Sequence, residues 1–526
     1  MPSSRVVRVR SLHEGVAAAS LRAGIEQIRA ELGVSPDFPP EVEAAARASA
    51  LTPTLPTLDR TDLAMLTIDP PGSRDLDQAL HIARSGDGYL VHYAIADVAA
   101  FVRPGDQVDV EARRRGETLY GADAAVPLHP RVLSEDAASL LPDRVRPALL
   151  WTIAVDADGE GTDVVVERAL VRSRAQLSYV EAQEQIDAGT APESLQLLAE
   201  LGPLRLAREA ARGGVSLPLP DQEISVDGEH WHLGFRRQLP VEEWNAQLSL
   251  LTGFAAATLM LHAQVGLLRT LPPPAPRDVL RLHRTAHALG IAWPAELLYP
   301  DFIRTLDPAR PHHAAMVVAC TRLLRGSGYA AFDGELPAQA QHAGLASEYA
   351  HVTAPLRRLG DRFAGEVCVA VCAGRPVPDW VREALPTLPG LLRDSARVAS
   401  AHERAVLSLV EAGILHERVG EEFAAVVVDV DDEDPRRGEV TIEEPAVEAA
   451  LRAEEGLALG AEVRVRLVSA SVEERRIELA LVPGTATGGA RSASVPGGAG
   501  ERGAGERGAG ERGAGEQPSV AGGETG

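Results

Sequence analysis

The stretch Thr67-Ile-Asp-Pro-Pro-Gly-Ser-Arg-Asp-Leu-Asp-Gln-Ala-Leu80 concentrates carboxylates at the boundary between two predicted strands. The first strand ends at Asp69, a Pro-Pro-Gly turn follows, and Asp75 and Asp77 precede the second strand. Because Asp75 and Asp77 are two residues apart, an extended chain points both side chains to one face, and the turn can fold that face toward Asp69. Three converging carboxylates favour a hard divalent cation such as magnesium between them. A solvated acidic turn is the second interpretation, and spacing alone favours it over a metal site.

Strand and helix patterns follow one another around this stretch. From about residue 59 to 185, β-branched and apolar runs alternate with turn signals such as Asp158-Gly159, which is typical of strands. From about 186 to 416 the apolar spacing becomes that of helices, interrupted by proline-rich loops. Strands followed by helices predict an α+β body.

Three further segments complete the predicted domain organisation. Residues 1–58 contain an amphipathic helical pattern and a proline-punctuated stretch, which together predict a helical arm with a linker. Residues 419–484 contain four strand patterns, and their number and length fit a small β-barrel such as an OB-fold. Residues 485–526 repeat the pentapeptide GAGER without large apolar residues, so we expect a disordered tail.

Composition excludes several kinds of chemistry. The 526 residues carry 52 basic and 75 acidic side chains, a formal net charge of −23, and every basic residue is an arginine. Without lysine the chain has no lysine Schiff base, no Walker-type phosphate loop and no kinase-type lysine. The 45% hydrophobic and 24% charged residues are typical of a soluble globular protein.

Cysteine content and hydropathy bear on the compartment. Cys320, Cys368 and Cys372 lack the paired spacing of a zinc site, so we expect them to pack in the core of a protein from a reducing cytosol. The N-terminal residues show no apolar signal core. The most apolar stretch, Leu248 to Leu261, is shorter than the roughly 20 residues that span a bilayer and predicts a buried helix. We therefore expect a cytoplasmic protein without a membrane partner.

Several stretches, correctly ordered and spaced, resemble the sequence blocks of one enzyme family. They include YAIADVAAFVRPGDQVDVEARRRGETLY ending at Tyr120, QHAGLASEYAHVTAPLRRLGDRF ending at Phe363, and AHERAV beginning at Ala401. Together with the 67–80 stretch they resemble the ribonuclease II and ribonuclease R family of exoribonucleases, from Leu63 to Leu415. The resemblance implies an RNB-type catalytic domain over residues 59–418, with a mixed sheet and surrounding helices. The barrel at 419–484 then corresponds to the family's C-terminal OB-fold.

The resemblance also implies an activity and a cofactor. The expected reaction is metal-dependent 3′→5′ hydrolysis of single-stranded RNA to nucleoside 5′-monophosphates, with no activity on DNA. Two magnesium ions, or manganese, would activate a water and stabilise the leaving 3′ oxygen. The residues that match the family's metal site are Asp69, Asp75 and Asp77, and Asp77 also counts among the catalytic residues.

Other positions match family residues that contact RNA. Arg357 matches the arginine at the scissile phosphate, whose charge suits the negative charge that develops there. Tyr120 matches the tyrosine that stacks on the terminal base, and Glu403 a catalytic-site glutamate near the 3′-terminal nucleotide. For Arg358 an RNA contact and a structural ion pair are equally open. For Asp97, a structural hydrogen bond and metal binding are both open interpretations.

The chain departs from the family at Gln78, where the signature has a fourth aspartate that ligates magnesium. An amide oxygen can still coordinate a metal, so Gln78 stays among the predicted ligands. Because the amide is neutral, we expect weaker metal binding and a raised magnesium requirement. The alternative is a catalytically impaired RNA-binding or regulatory protein that retains the RNB fold.

The regions on either side of the catalytic domain also depart from the family. Residues 1–58 are too short and too helical for the family's cold-shock-type domains. Between Glu421 and Val482 the chain has 17 acidic residues, 7 arginines and a single aromatic residue, Phe423. RNA-binding barrels combine a basic groove with stacking aromatics. We therefore expect this barrel to dock on the catalytic domain or on another protein.

Overall fold

The N-terminal region consists of a short strand and two helices. The structure, a computed structural model, describes residues 8–10, 16–217, 221–227, 230–236, 238–431 and 433–483, so the predicted GAGER tail lies outside the described residues. Strand β1 spans Arg8–Arg10, helix α1 Val16–Leu32 and helix α2 Pro40–Leu51. The predicted helix is present, but it is not a free arm, because Ile25 and Ile28 are buried against the rest of the protein.

Five strands form a closed barrel in the order β2-β3-β4-β5-β6. In chain order they are β2 Met65–Asp69, β3 Gln78–Ser85, β4 Gly88–Ala96, β5 Val145–Val155 and β6 Gly161–Ser178. Neighbouring strands are antiparallel, except that β2 runs parallel to β6. The 18 residues of β6 close the barrel, because its first part pairs with β5 and its last part with β2. The predicted mixed sheet is therefore a barrel rather than an open sheet.

Alternate residues of the barrel strands join different parts of the core. Tyr93 and Trp151 belong to a cluster that includes the long helices after the barrel. Their neighbours Ala94 and Leu150 belong to a second cluster, which includes Val42 of α2. Because both sets of alternating residues are buried, the sequences of the central strands are continuously apolar. Helices therefore cover the barrel on more than one side.

Helices dominate the region between the two barrels, and short strands interrupt them. One helix, α3 Gln107–Arg115, lies earlier, between β4 and β5 of the first barrel. The helices between the barrels are, in chain order, α4 Tyr179–Asp187, α5 Glu193–Arg212, α6 Pro240–Ala263, α7 Pro276–Ala288, α8 Tyr299–Arg304, α9 Pro311–Cys320, α10 Leu359–Cys372, α11 Asp379–Ala384 and α12 Leu388–Leu415. The strands are β7 Asp221–Asp227, β8 His230–Arg236, β9 Val265–Thr270, β10 Gly328–Asp333, β11 Gln341–His342 and β12 Ser347–Glu348. Sequence patterns missed these strands because each is shorter than the helical runs beside it.

Helix α6 contains the most apolar stretch of the sequence. Among the described residues it is the one helix whose length and composition would allow it to cross a membrane, and half of its apolar window is buried inside the protein. Leu248, Ala256 and Met260 lie in the main core cluster with Phe363 of α10. This packing agrees with the predicted buried helix.

A second closed barrel, in the order β13-β14-β15-β17-β16, follows α12 and confirms the predicted OB-like unit. Its strands are β13 Glu422–Val430, β14 Arg437–Ile442, β15 Val447–Arg452, β16 Glu462–Ser471 and β17 Arg476–Leu481. It docks on the body of the protein, as its acidic composition predicts. Arg322 donates at 2.7 Å to both carboxylate oxygens of Asp429, and Arg475 does the same at 2.7 Å to Glu31 of α1.

Candidate active site

The loop between β2 and β3 brings two of the predicted aspartates to the edge of the first barrel. Gly72 adopts φ 81°, a left-handed value that favours glycine, so the Pro-Pro-Gly turn reverses the chain. The hydroxyl of Ser139 then accepts the N–H of Leu76 at 3.0 Å. This bond fixes the backbone between Asp75 and Asp77, at the edge where β2 ends in the third aspartate.

Four predicted site residues meet at this edge. Asp77 is only 3% exposed, and its Oδ1 accepts the backbone N–H of Leu356 at 2.8 Å. Its Oδ2 lies 3.5 Å from Nε of Arg357. The hydroxyl of Tyr120 donates to Oδ2 of Asp75 at 3.1 Å. The loop after β12 and the segment after α3 thus converge on the carboxylates, although more than 200 residues separate Asp77 from Leu356 in sequence.

The carboxylates lack enough polar partners in the protein itself. Burial raises the pKa of Asp69 to about 6 and that of Asp77 to about 8, although the charge of Arg357 opposes both shifts. Oδ2 of Asp69 and Oδ2 of Asp77 are buried without a hydrogen-bond partner. Among the residues that the structure describes, no three His, Cys, Asp or Glu side chains already form a metal-binding group. Buried carboxylate oxygens without hydrogen-bond partners are nevertheless the donors that a hard divalent cation satisfies, so the residues of this edge fit such a cation.

Gln78 is held by two hydrogen bonds within the protein. Its Oε1 accepts the Tyr93 hydroxyl at 2.5 Å, and its Nε2 donates to the Thr353 carbonyl oxygen at 2.7 Å. Because Thr353 lies in the loop that carries Arg357, Gln78 ties the barrel to that loop. Metal coordination by its amide oxygen stays a prediction. Sequence analysis missed both partners, although the two-residue turn Gly86-Asp87 sets the β3–β4 register and could have placed Tyr93 diagonally across from Gln78.

Arg358 forms a structural ion pair, which is one of the two roles that the sequence left open for it. Its Nη2 lies 2.6 Å from Oδ2 of Asp361, and the same oxygen accepts the N–H of Ala354 at 2.8 Å. The pair therefore braces the loop that contains the neighbouring Arg357, while an RNA contact by Arg358 stays a prediction. Asp97 likewise accepts Nε–H of Arg168 at 2.8 Å, which is a structural hydrogen bond.

Glu403 lies half-buried in α12, directly after a residue that approaches the segment containing Tyr120. The preceding residue, His402, has its Cε1 3.4 Å from where a Cβ on Gly121 would lie. Gly121 directly follows Tyr120, so α12 reaches the loop that presents the tyrosine. The role of Glu403 at the RNA end stays a prediction.

Two family models match the chain in the order that the two barrels occupy. The RNB domain matches residues 58–368, and the RNase II-type exonuclease C-terminal S1 domain matches residues 421–482. The first match covers more than half of the sequence and includes the acidic edge and the Arg357 loop. The chain therefore belongs to the RNB-domain family.

Named relatives include nucleases from eukaryotes and bacteria. The exosome complex exonuclease RRP44 homolog A of Arabidopsis thaliana is 28% identical over 328 residues, which cover 59% of this chain and 35% of the relative. Ribonuclease R of Aquifex aeolicus is 26% identical over 499 residues, 87% of this chain and 68% of the relative. The chain thus spans about a third of the length of the RRP44 relatives that it matches.

Solved structures with the same fold include a nuclease and a pseudonuclease. Mycoplasma genitalium RNase R in complex with ribose methylated single-stranded RNA aligns with a TM-score of 0.78 at 19% identity, covering 88% of this chain and 78% of the other. The same enzyme is also solved with double-stranded RNA. Yeast Ssd1, a pseudonuclease, aligns with a TM-score of 0.64 at 15% identity, covering 82% of this chain and 55% of the other. The shared fold alone therefore does not decide between the two activities.

Proposed function

We propose that this protein is a metal-dependent exoribonuclease that removes nucleoside 5′-monophosphates from the 3′ end of single-stranded RNA. The observation that carries the proposal is the meeting of buried carboxylate oxygens that lack hydrogen-bond partners, on Asp69 and Asp77, with Arg357 and Tyr120 at one barrel edge. Membership of the RNB-domain family and the named nuclease relatives support it.

The residues of this edge suit three tasks in phosphodiester hydrolysis. Asp69, Asp75 and Asp77 would hold magnesium or manganese, which when bound supplies an activated water and stabilises the leaving oxygen. The guanidinium of Arg357, whose side chain is 43% exposed, can reach a phosphate while it remains beside Asp77. The ring of Tyr120, in a residue that is 48% exposed, can stack on a base of any identity.

Two further site assignments form part of the proposal. Glu403 would lie near the 3′-terminal nucleotide, since α12 contacts the loop after Tyr120. Arg358, whose side chain is 22% exposed, would add a secondary RNA contact while it stays paired with Asp361.

The three cysteines are unpaired, which supports our proposal that the protein works in the cytoplasm.

The test is a time course on a 5′-labelled single-stranded RNA oligomer across a titration of magnesium or manganese. We expect successive shortening from the 3′ end, no cleavage of DNA of the same sequence, and loss of activity in Asp77→Asn. Double-stranded RNA of the same sequence should be cut more slowly. RNA that stays intact at every metal concentration would contradict the proposal.

A second candidate function is RNA binding without hydrolysis. It is favoured by Gln78, a neutral residue where the family signature has an aspartate, whose amide is already engaged with Tyr93 and Thr353. The pseudonuclease Ssd1 shows that the fold occurs in a protein without nuclease activity. Intact RNA that nevertheless binds in the experiment above would establish this alternative.

A further inference from the structure

Tyr120 lies at the start of a tight loop whose ends are joined by backbone hydrogen bonds. Leu119 and Val126 exchange N–H to carbonyl bonds at 3.0 and 2.8 Å, and Thr118 donates its N–H to the carbonyl of Arg357 at 2.9 Å. The base of the loop is thus tied to the Arg357 segment. Residues 120–125 depend on other contacts to hold their shape.

The far side of the loop is held by Arg29 of helix α1. Its Nη1 and Nη2 donate to the two carboxylate oxygens of Asp123 at 3.0 and 2.6 Å, and Nη2 also donates to the Ala124 carbonyl at 2.9 Å. The side chains of Arg29 and Asp123 are only 9% and 17% exposed. A Cβ on Gly121 would lie 2.9 Å from the Ala124 oxygen, so the loop is compact around this forked contact.

Helix α1 is itself fixed, so Arg29 gives the loop a rigid anchor. The helix lies close against α12, because a Cβ on Gly24 would come within 2.7 Å of Leu409 and one on Gly413 within 3.0 Å of Leu21. Ile28, one residue before Arg29, is fully buried. These contacts join α1 to the helix that carries Glu403.

We infer that Arg29 is a positioning residue, which holds the Tyr120 loop in the shape needed to stack on the 3′-terminal base of RNA. The inference rests on the proposed function, because it assigns Tyr120 to the end of an RNA. It gives the N-terminal helix a role in recognising that end. It also explains why a cation on α1 is buried beside Asp123, where the forked contact compensates its charge.

The test compares two RNAs in metal-free buffer with EDTA, where hydrolysis does not interfere. One is a 5′-fluorescein single-stranded RNA with an intact 3′ nucleotide, and the other has an abasic 3′ terminus. The ratio of their Kd values, measured by anisotropy, reports stacking on the terminal base. For the parent protein we expect a ratio of about 10, since stacking on one base is worth about 1.4 kcal/mol at that ratio.

Arg29→Met should bring this ratio to about 1–2, as Tyr120→Ala should. Arg22→Met is the matched control, because it makes the same change seven residues earlier on the same helix and should leave the ratio near 10. A purely structural role of Arg29 would lower the melting temperature without changing the ratio in folded protein. Asp123→Asn keeps the shape of its side chain and decides the question if circular dichroism shows that Arg29→Met does not fold.

The outcomes separate this inference from the proposed function. Folded Arg29→Met or Asp123→Asn with an unchanged ratio overturns the inference and leaves the exoribonuclease proposal standing. A parent protein that binds both RNAs equally overturns the role of Tyr120 and the inference with it. A parent protein that neither binds nor degrades RNA overturns the proposed function, and the inference falls with it.

Discussion

Replacement of Gln78 by glutamate tests whether the amide bridges the barrel and the arginine loop. The change keeps the size of the side chain and removes the N–H group that donates to the Thr353 carbonyl at 2.7 Å. Thr353 is 2% exposed, so water cannot replace the lost donor, and a carboxylate oxygen would instead face a carbonyl oxygen. The Tyr93 hydroxyl can still donate to the new side chain. We therefore expect Gln78→Glu to be less stable than the parent protein.

The size of this loss follows from the buried acceptor. Leaving a buried polar group without its partner costs about 1–3 kcal/mol. A loss of about 2 kcal/mol lowers the melting temperature by roughly 2–3 °C for an unfolding unit of about 300–480 residues. Gln339→Glu is the matched control, because the amide of Gln339 also donates to a backbone carbonyl, at 2.9 Å, but is exposed. We expect that control to melt within about 1 °C of the parent protein.

Thermal melts in EDTA and in a magnesium series are the assay. Gln78→Asp has a side chain one methylene shorter, so it should lose both bonds and be destabilised in EDTA. Magnesium should then stabilise Gln78→Asp more than the parent protein, because a ligand stabilises the folded state more when it binds that state more tightly. Gln78→Glu that melts with the parent protein in EDTA would refute the bridge. Gln78→Asp with no added response to magnesium would refute the predicted place of residue 78 at the metal site.

Three further predictions concern the same edge and the second barrel. Tyr120→Phe keeps the ring but frees Asp75, so RNA affinity should stay within about 2-fold and magnesium should bind about 3-fold more tightly by calorimetry. Asp361→Asn leaves Arg358 without its carboxylate, so the free energy of unfolding in urea should fall by about 3 kcal/mol and RNA hydrolysis should slow. An unchanged urea midpoint would show that the ion pair does not stabilise the loop. Arg436→Gln in the second barrel should leave the salt dependence of RNA binding unchanged, and a shallower slope would place RNA on that barrel.

Much of the acidic edge could be predicted from sequence because its signals are local. The Pro-Pro-Gly turn and the spacing of Asp75 and Asp77 showed that the carboxylates could meet where β2 ends, although spacing alone favoured a solvated acidic turn. The apolar runs indicated the strands of both barrels. Closure of the first barrel was not predictable, because it depends on β6 extending far enough to pair with β2 as well as β5.

The partners of the site residues were not predictable, since they come from distant segments. Thr353 reaches Gln78 and Leu356 reaches Asp77 only because the loop before α10 folds over the barrel edge. The packing of α1 was also missed, because an amphipathic pattern shows that a helix has an apolar face and does not show what covers it. Arg29 gave no signal in sequence, since an arginine near the end of a helix is usually solvated.

The second barrel has lost the features that let such barrels bind RNA, and its contacts indicate a different use. Phe423, its single aromatic residue, is 5% exposed and therefore offers no stacking surface. All seven arginines between Glu421 and Val482 pair with carboxylates of this chain, namely Arg436, Arg437, Arg452, Arg464, Arg466, Arg475 and Arg476. One of them, Arg475, holds Glu31 on the same helix that carries Arg29. The barrel therefore braces the helix that carries Arg29, and we expect most of the charge that attracts RNA to lie outside this barrel.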